Sequence, residues 1–370
     1  MNRPRDTLLV GGALILTAGL FDAPALYVAG VALIVLGTAC VAWVRAATQD
    51  VTVERRLTRT RVMEDEPLDV DVVVHSATIG LPAGDLTDPF LDGRPAPLRV
   101  GRRTQRIRIR ASFARRGRRR LGAPSITVRD PLGMTERTIT GGGAADILVL
   151  PRIEPLTDPG HVRGDRPGPW LRTLALAADV DLDGLRPYRP GSPASRIYWP
   201  GVARGGELSE RRLSSGSDER ALVLLDARAA RAADLDAAVR AAASICRFLG
   251  ERAGCRLVLP GMRRGLEVGP SLRGWDAAHT QLALVEPGGR PSASLVAQRR
   301  GLLIWVTGER LTHAPQGLVR SGAGTRILVT PGAGGAGRTV FTVSGCTASI
   351  LGGPRQPRAA AAGTSREPAR

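Results

Sequence analysis

At 370 residues the chain is too long for a single hydrophobic core, since folded domains usually run about 100 to 200 residues each. Its 45 glycines and 27 prolines against 4% aromatic residues predict many turns and a core of Val, Leu, Ile and Ala. Its four cysteines, Cys40, Cys246, Cys255 and Cys346, stand at no metal-ligand spacing and argue against disulfide staples and zinc sites, as four histidines argue against a His-based metal or triad site. The formal charge of +18 fits nucleic acid or an anionic lipid surface, because clustered cations release condensed counterions when they meet phosphates. The chain has no lysine, however, and a composition rich in Arg, Ala and Gly is what a GC-rich genome writes whatever the function.

Residues 7 to 21, TLLVGGALILTAGLF, and 25 to 44, ALYVAGVALIVLGTACVAWV, are apolar runs without charge, separated by Asp22, Ala23 and Pro24. At about 1.5 Å per residue the second reaches roughly 30 Å and spans a hydrocarbon core, while the first is short and must borrow flanking residues or thin the bilayer. Together they predict a transmembrane helical hairpin. A signal peptide, with Arg3 and Arg5 as its charged region and Ala23-Pro24-Ala25 as a cleavage site, leaves the second run unexplained. Arg3 and Arg5 precede the hairpin and Arg45, Arg55 and Arg56 follow it, whereas the turn carries only Asp22. The positive-inside bias therefore predicts a two-helix protein of the cell (inner) membrane, with its amino terminus and soluble body cytoplasmic.

From 51 to 150 the pattern turns to short alternating segments, VTVERRL, LDVDVVVHS, QRIRIRASFA, APSITVRD and ADILVLP, which predict a small sandwich-like β module. In the third segment Ile107, Ile109, Ala111 and Phe113 fall on one face and Arg106, Arg108 and Arg110 on the other, the period of two of a half-buried strand. Between residues 101 and 120 stand ten arginines and no acid. Arg106, Arg108, Arg110, Arg115, Arg116, Arg118, Arg119 and Arg120 form a candidate basic patch. It reads as a solvated strand face followed by a basic hairpin turn over 115 to 120, or as an electrostatic dock for anionic lipid headgroups or an acidic partner. Single-stranded nucleic acid would want aromatic platforms between the cations, and only Phe113 is there, on the buried side.

Residues 151 to 220 form a Pro/Gly-rich connector that carries GLRPYRPGSPASRIYWPGVARGGELSERRL, residues 184 to 213. This Pro-rich turn presents Arg186, Tyr188, Arg189, Arg196, Trp199 and Arg204. Tyr, Trp and Arg supply contact area and forked hydrogen bonding, so an interaction surface is one reading. The other is internal, with Trp199 and Tyr188 capping a core and the arginines satisfying loop carbonyls. The segment resembles the signature of the DUF58 family (domain of unknown function 58), approximately GLREYxPGDDxRxIDWxASARxGxLxVRxxE ahead of a von Willebrand A-like domain. The matching positions are Gly184, Leu185, Arg186, Tyr188, Pro190, Gly191, Arg196, Ile197, Trp199, Ala203, Arg204, Gly206 and Leu208. Upstream, ARRGRRRLGAPSITVRDPLGMTER, residues 114 to 137, is similar to the family's RRGRYxLGPxxxxxxDPFGLF, and an anchor hairpin is the usual family arrangement. The departures are Ser192 and Pro193 in place of an acidic pair, Tyr198 in place of Asp or His, and Pro200 in place of Lys. No role for acidic or ammonium groups carries over to those positions.

Residues 221 to 350 predict an α/β domain with a mostly parallel sheet. ALVLLDA is a strand ending in Asp226, and the helix to about residue 253 sets Leu235, Ala238, Val239, Ala242, Ile245, Cys246 and Leu249 in one stripe. Further strands fall at CRLVLPG, LLIWVTG, TRILVTP and TVFTVSG, with a helix near residues 275 to 285. The resemblance implies a von Willebrand A-like domain, whose first strand ends in DxSxS and holds Mg²⁺ through oxygen ligands. Here those positions are Asp226, Arg228 and Ala230, and a guanidinium repels a divalent cation and offers no lone pair. A degenerate site with no metal and no cofactor is expected, with Asp226 ion-paired to Arg228 or another arginine. Residues 351 to 370 are poor in bulky apolar side chains and predict a disordered tail.

No nucleophile or general acid–base constellation emerges, so the chain is expected not to be an enzyme. It reads as a membrane-anchored interaction or adaptor protein whose candidate binding residues are Arg186, Tyr188, Pro190, Gly191, Arg196, Trp199 and Arg204. Members of the resembled family are often encoded next to MoxR-type AAA+ ATPases and transglutaminase-like membrane proteins. The resemblance therefore implies such partners and a role in the assembly or maturation of envelope proteins. Two other readings are a hydrolase using the signature-segment carboxylates Asp181 and Asp183, and an anionic lipid or nucleic-acid binder using the Arg-rich strand.

Overall fold

A computed structural model describes residues 3–77, 80–91, 93–158, 174, 182–188, 209–213, 220–292, 296, 301–332 and 337–351. The chain divides into two compact units, Met1–Leu150 and Pro151–Arg370.

The first unit opens with two antiparallel helices, α1 (Arg3–Phe21) and α2 (Pro24–Thr48). Asp22, at φ +50°, makes the tight turn between them, and Pro24 starts α2 at the position where a missing N–H costs nothing. Glycines let the helices touch: a Cβ on Gly30 would lie 2.6 Å from Ile15 Cγ1 and 2.8 Å from the Gly11 carbonyl. Away from that seam large apolar side chains stand uncovered, among them Leu9, Leu16, Leu20, Phe21, Val28 and Val35. Among the described residues α2 is the one helix long and apolar enough to cross a membrane.

The β structure of this unit comprises β1 (Val51–Leu57), β2 (Arg61–Met63), β3 (Leu68–Ser76), β4 (Gly84–Thr87), β5 (Ala96–Pro97), β6 (Thr104–Ala111), β7 (Gly117–Leu121), β8 (Ser125–Arg129), β9 (Glu136–Thr140) and β10 (Ala145–Leu150). They form three sheets, ordered β1-β3-β6, β2-β10-β7 and β5-β4-β8-β9. Alternation drives the packing: Leu68, Val70, Val72 and Val74 of β3 point inward and are fully buried, joined by Val53, Ile109, Ile126, Ile147 and Val149 from the other strands in one core. The basic run 115 to 120 departs from the expected hairpin turn. Residues from Gly117 onward form strand β7, paired antiparallel with β10 from Val149↔Gly117 to Ala145↔Leu121. Its ladder partner lies far along the chain, beyond the reach of a local turn rule, and consecutive arginines suit the exposed edge of a sheet.

In the second unit, β11 (Leu182–Pro187) and β12 (Ser209–Leu213) make a two-stranded antiparallel ladder. The α/β body follows: β13 (Ala221–Ala229), α3 (Ala232–Gly250), β14 (Cys255–Val258), β15 (Leu266–Val268), α4 (Trp275–Ala283), β16 (Leu302–Gly308), α5 (Gln316–Val319), β17 (Thr325–Pro331), β18 (Arg338–Val343) and β19 (Cys346–Leu351). Seven strands form one mixed sheet in the order β15-β14-β13-β16-β17-β19-β18. β13 is covered on both faces, with Val223 and Leu225 against α3 and Leu222 and Leu224 against Trp305, Leu318 and Leu328, which explains its unbroken apolar run. All seven residues of the expected α3 stripe are buried.

The expectation of a mostly parallel sheet needs correction. The β13/β14, β13/β16 and β16/β17 pairings are parallel, but β14/β15, β17/β19 and β18/β19 are antiparallel. Hairpins built the flanks: Ser344 at φ +51° and Gly345 at φ +72° form the two-residue turn that folds β19 back on β18.

Candidate functional site

The parallel strands β14, β13, β16 and β17 send their carboxyl ends to one edge of the sheet, and β13 has β14 on one side and β16 on the other. Strand order reverses there, and in open α/β sheets the crevice at such a point is where ligands bind. Asp226 stands at that edge, buried and opposite Thr307 of β16 in the ladder. Beyond it the register shifts, so that Gly308 pairs with Ala229. A Cβ on Gly308 would come within 2.8 Å of the Ala229 side chain and 3.0 Å of the Arg228 carbonyl, so glycine is what permits this closure.

The shift returns Arg228 onto Asp226. Arg228 Nε donates to Oδ1 at 3.0 Å, Nη2 to Oδ2 at 2.6 Å, and the Arg228 backbone N–H to Oδ1 at 3.2 Å. Nη1 lies 3.3 Å from Glu309 Oε2, an oxygen that has no hydrogen-bond partner. Hydrogen bonding to Asp226 pushes the guanidinium further above its already high value, so it remains charged. A second group sits on the first turn of α3: Arg231 Nε and Nη2 donate to Asp234 at 3.0 and 3.1 Å, and Arg310 Nη2 approaches the same carboxylate at 3.4 Å. The hydrogen bond from Arg231 holds Asp234 below the usual carboxylate range. Three arginines and three acids thus alternate along the edge. Ala230 follows the strand and contributes no oxygen ligand from its side chain.

Next to this edge lies an open groove of about 430 Å³ lined by Leu259, Pro260, Met262, Leu284, Val285 and Glu286. Gly289 and Gly288 close its wall onto β13 through Ala227 N–H to Gly289 O at 2.9 Å and Gly288 N–H to Ala227 O at 3.0 Å. The edge thus sets an arginine with one outward face beside a groove of mixed apolar and polar lining. Among the described residues no group of three or more His, Cys, Asp or Glu stands together as a metal-holding set.

Only the frame of the signature segment is described. Arg186 lies on β11 opposite Glu210 of β12, and Pro187 opposite Ser209, so the ladder brings the two ends of the segment side by side. Tyr188 follows, half-buried. Pro190, Gly191, Arg196, Trp199 and Arg204 lie outside the described residues, as does Asp181, while Asp183 falls on β11.

The basic patch divides into parts. Arg106, Arg108 and Arg110 form the exposed face of β6, as the period of two requires, but β3 supplies counter-charges that spacing could not reveal. Arg106 and Arg108 (3.5 Å) pair with Asp71, and Arg110 with Asp69 at 3.5 Å. The hydrogen bond from Arg106 lowers the Asp71 carboxyl. The Arg116 backbone N–H donates to Glu64 at 3.0 Å, Arg115 also has a partner, and Arg118, Arg119 and Arg120 lie exposed along β7.

Sequence reasoning found Asp226 and Arg228 but missed Glu309, Arg310, Arg231 and Asp234. A usable signal existed: Glu309 and Arg310 directly follow the buried run LLIWVTG, and Arg231 and Asp234 flank the start of an amphipathic helix, positions that an α/β topology delivers to one edge. The histidines stand apart from this site. His75 bonds Thr104, His313 bonds Thr312, and His279 stacks on Trp275 with Nε2 2.8 Å from the Pro151 carbonyl. His161 lies outside the described residues. A scan against protein-family models finds no match for the chain, and a search of curated proteins finds none.

Proposed function

We propose that this protein is a membrane-anchored, non-enzymatic adaptor, held by α1 and α2 as a two-pass hairpin in the inner membrane with both soluble units on the cytoplasmic side. The observation that carries the reading is the ring of uncovered apolar side chains around the glycine-seamed helix pair, which water would not tolerate and lipid would. The arginines on both flanks of the pair support the cytoplasmic orientation. The second unit acts as a von Willebrand A-like binding domain in which the Arg228 guanidinium takes the place of a bound cation on Asp226. Its carboxyl edge and the signature segment 184 to 213 engage the partner.

The resemblance of that segment to the DUF58 signature supports a MoxR-type AAA+ ATPase and a transglutaminase-like membrane protein as partners, in the assembly or maturation of envelope proteins. The test is a crosslinking pull-down of the membrane-embedded chain, wild type against Arg186→Ala/Trp199→Ala, after circular dichroism shows both folded. Capture of an AAA+ ATPase by wild type and its loss in the folded variant is the expected result. Capture of the same partners by both would place the interface elsewhere, and failure of wild type to co-purify with the ATPase, with or without nucleotide, would overturn the adaptor reading.

A second reading, anionic lipid binding by the basic module, is favoured by Arg118, Arg119 and Arg120 standing exposed on the edge strand β7. The ion pairs on Asp69 and Asp71 leave Arg106, Arg108 and Arg110 less to offer it.

A further inference from the structure

The turn between β8 and β9 is tied down from beneath by one buried carboxylate. Asp130 is buried beneath it: Oδ1 accepts from the Leu132 N–H at 2.8 Å, Oδ2 accepts from the Thr135 N–H, and the carbonyl accepts from Gly133 N–H at 3.0 Å, with Gly133 left-handed at φ +65°. So tied, the turn cannot fold Leu132 back, and Pro131 and Leu132 project from its tip with Leu132 58% exposed. Single exposed leucines are ordinary on protein surfaces. What sets this one apart is its place beside α2.

Arg137 of β9 donates to Thr48 Oγ1 at 3.0 Å, and Asp130 lies against Cys40. The β8–β9 hairpin therefore runs along the last two turns of α2, about 12 Å, with its tip directed toward the middle of the helix. Cys40, Val44, Ala47 and Thr48 are the α2 residues buried in this stretch. The helix pair fixes a height scale, because Gly37 faces Leu8 and Thr7 while Gly30 faces Ile15 and Gly11. The same register sets Arg5 level with Cys40. The first charges of α1 and the tip of the turn thus stand at one height. The uncovered large apolar side chains of the pair, Leu9 to Phe21 and Tyr27 to Leu36, all lie beyond it, and Trp43, a residue suited to the membrane–water interface, lies just below. From Pro24 to Ala39, clear of the β module, α2 measures about 24 Å at 1.5 Å per residue, less than the roughly 30 Å of a hydrocarbon core. On the proposed anchoring, a hydrocarbon core that the span matches reaches the height of Cys40 and Trp43.

We infer that the 130–135 turn is a membrane-interface wedge, with Pro131 and Leu132 seated in the headgroup–acyl boundary of the leaflet that surrounds Arg3 and Arg5. The inference rests on the proposed anchoring by α1 and α2. Burying one leucine favours the seated state on the order of tenfold to a hundredfold. With α2 it gives the β module two points of attachment, which converts a swivelling tether into a mount of fixed orientation.

The test uses the full chain in phosphatidylcholine–phosphatidylglycerol vesicles, with a nitrobenzoxadiazole label on Leu132→Cys or, separately, on Val28→Cys. The native cysteines are buried, so the unsubstituted chain gives the labelling background. Lipids carrying a nitroxide high on the acyl chain probe contact with the boundary, and aqueous iodide probes exposure. The expected result is nitroxide quenching at both positions with iodide quenching at neither. Nitroxide quenching at Val28 together with full iodide access at Leu132 would overturn the wedge and leave the anchor intact. Iodide access at both would overturn the anchor and the wedge together. Because the label itself is apolar, a third label on Glu136→Cys reads the native leucine: Leu132→Asp should raise its iodide quenching severalfold, and no change would remove Leu132 from the contact.

Discussion

Arg55 with Asp88 in the first unit and Arg228 with Asp226 in the second are the same two functional groups in different settings. The Arg55 and Asp88 side chains are 1% and 0% exposed, whereas those of Arg228 and Asp226 are 29% and 0% exposed. Around Arg55 the Nε and Nη2 donors are committed, while Nη1 is buried without a hydrogen-bond partner. Nε and Nη2 donate to Asp88 at 3.0 and 2.9 Å, Nη2 also reaches the Gly122 carbonyl at 2.7 Å, the guanidinium sits 5.3 Å over the Phe90 ring, and Asp88 accepts the Phe90 N–H at 2.8 Å. Around Arg228 one edge of the guanidinium looks outward and, among the described residues, pairs with Glu309. A pair sealed in the core fixes the fold, because desolvated charges tolerate no other arrangement. A pair with an open edge keeps part of the guanidinium within reach of water, so its loss is softened by solvent.

The sharpest break of this comparison is Arg55→Met. It leaves Asp88 buried without its cation and should cost about 3–5 kcal/mol of the first unit's stability, read by chemical denaturation, with Arg55→Met/Asp88→Leu recovering a large part. A silent single change would mean that the pair contributes nothing net to the stability of the first unit. Arg228→Ala should cost less, about 1–3 kcal/mol, because water reaches the outer edge of the pair. The same carboxylate tests the role of the guanidinium. Mg²⁺ should leave the unfolding midpoint of wild type unchanged and raise that of Arg228→Ser/Ala230→Ser, which restores oxygen ligands beside Asp226. Calorimetric binding of Mg²⁺ by wild type below millimolar, abolished by Asp226→Ala, would make the site a metal site after all.

A smaller effect should follow pH. Burial lowers the imidazole of His279 below its ordinary 6.5, with the hydrogen bond to Pro151 opposing. The folded state therefore favours the neutral ring, and as pH falls through 6.5 the unfolded chain takes up the proton first. Stability should decline on acidification below that point, and His279→Gln should flatten the decline. The smallest effect belongs to the exposed ladder. Reversing Arg106, Arg108 or Arg110 singly should leave the midpoint unresolved from wild type at physiological salt, and weaken vesicle binding only at low salt.

Periodicity carried much of the secondary structure. β3, β6 and β13, and the α3 stripe from Leu235 to Leu249, follow from side-chain alternation at two and 3.6 residues, which burial on one or both faces enforces locally. The elements that spacing concealed are short or polar: β4 and β7 exist because distant strands, β8 and β10, supply their ladders, while β9 and β19 are return strands of hairpins on β8 and β18. The candidate site divides in the same way. Asp226 and Arg228 are neighbours in sequence and their pairing was legible, while Glu309 reaches Arg228, and Arg310 reaches Asp234, through the parallel docking of β16 on β13.

The sequence by itself determined the apolar helix pair, the β-then-α/β order, and the guanidinium two residues after the strand-end aspartate, since each depends on residues within a few positions of one another. Only the tertiary structure decided which charges meet. Asp69 and Asp71 pair with the arginines of the basic strand, Asp88 pairs with Arg55, and Arg137 reaches Thr48 from the β8–β9 hairpin. Each of these is a contact between residues dozens of positions apart, set by strand register and helix packing, which no local pattern encodes.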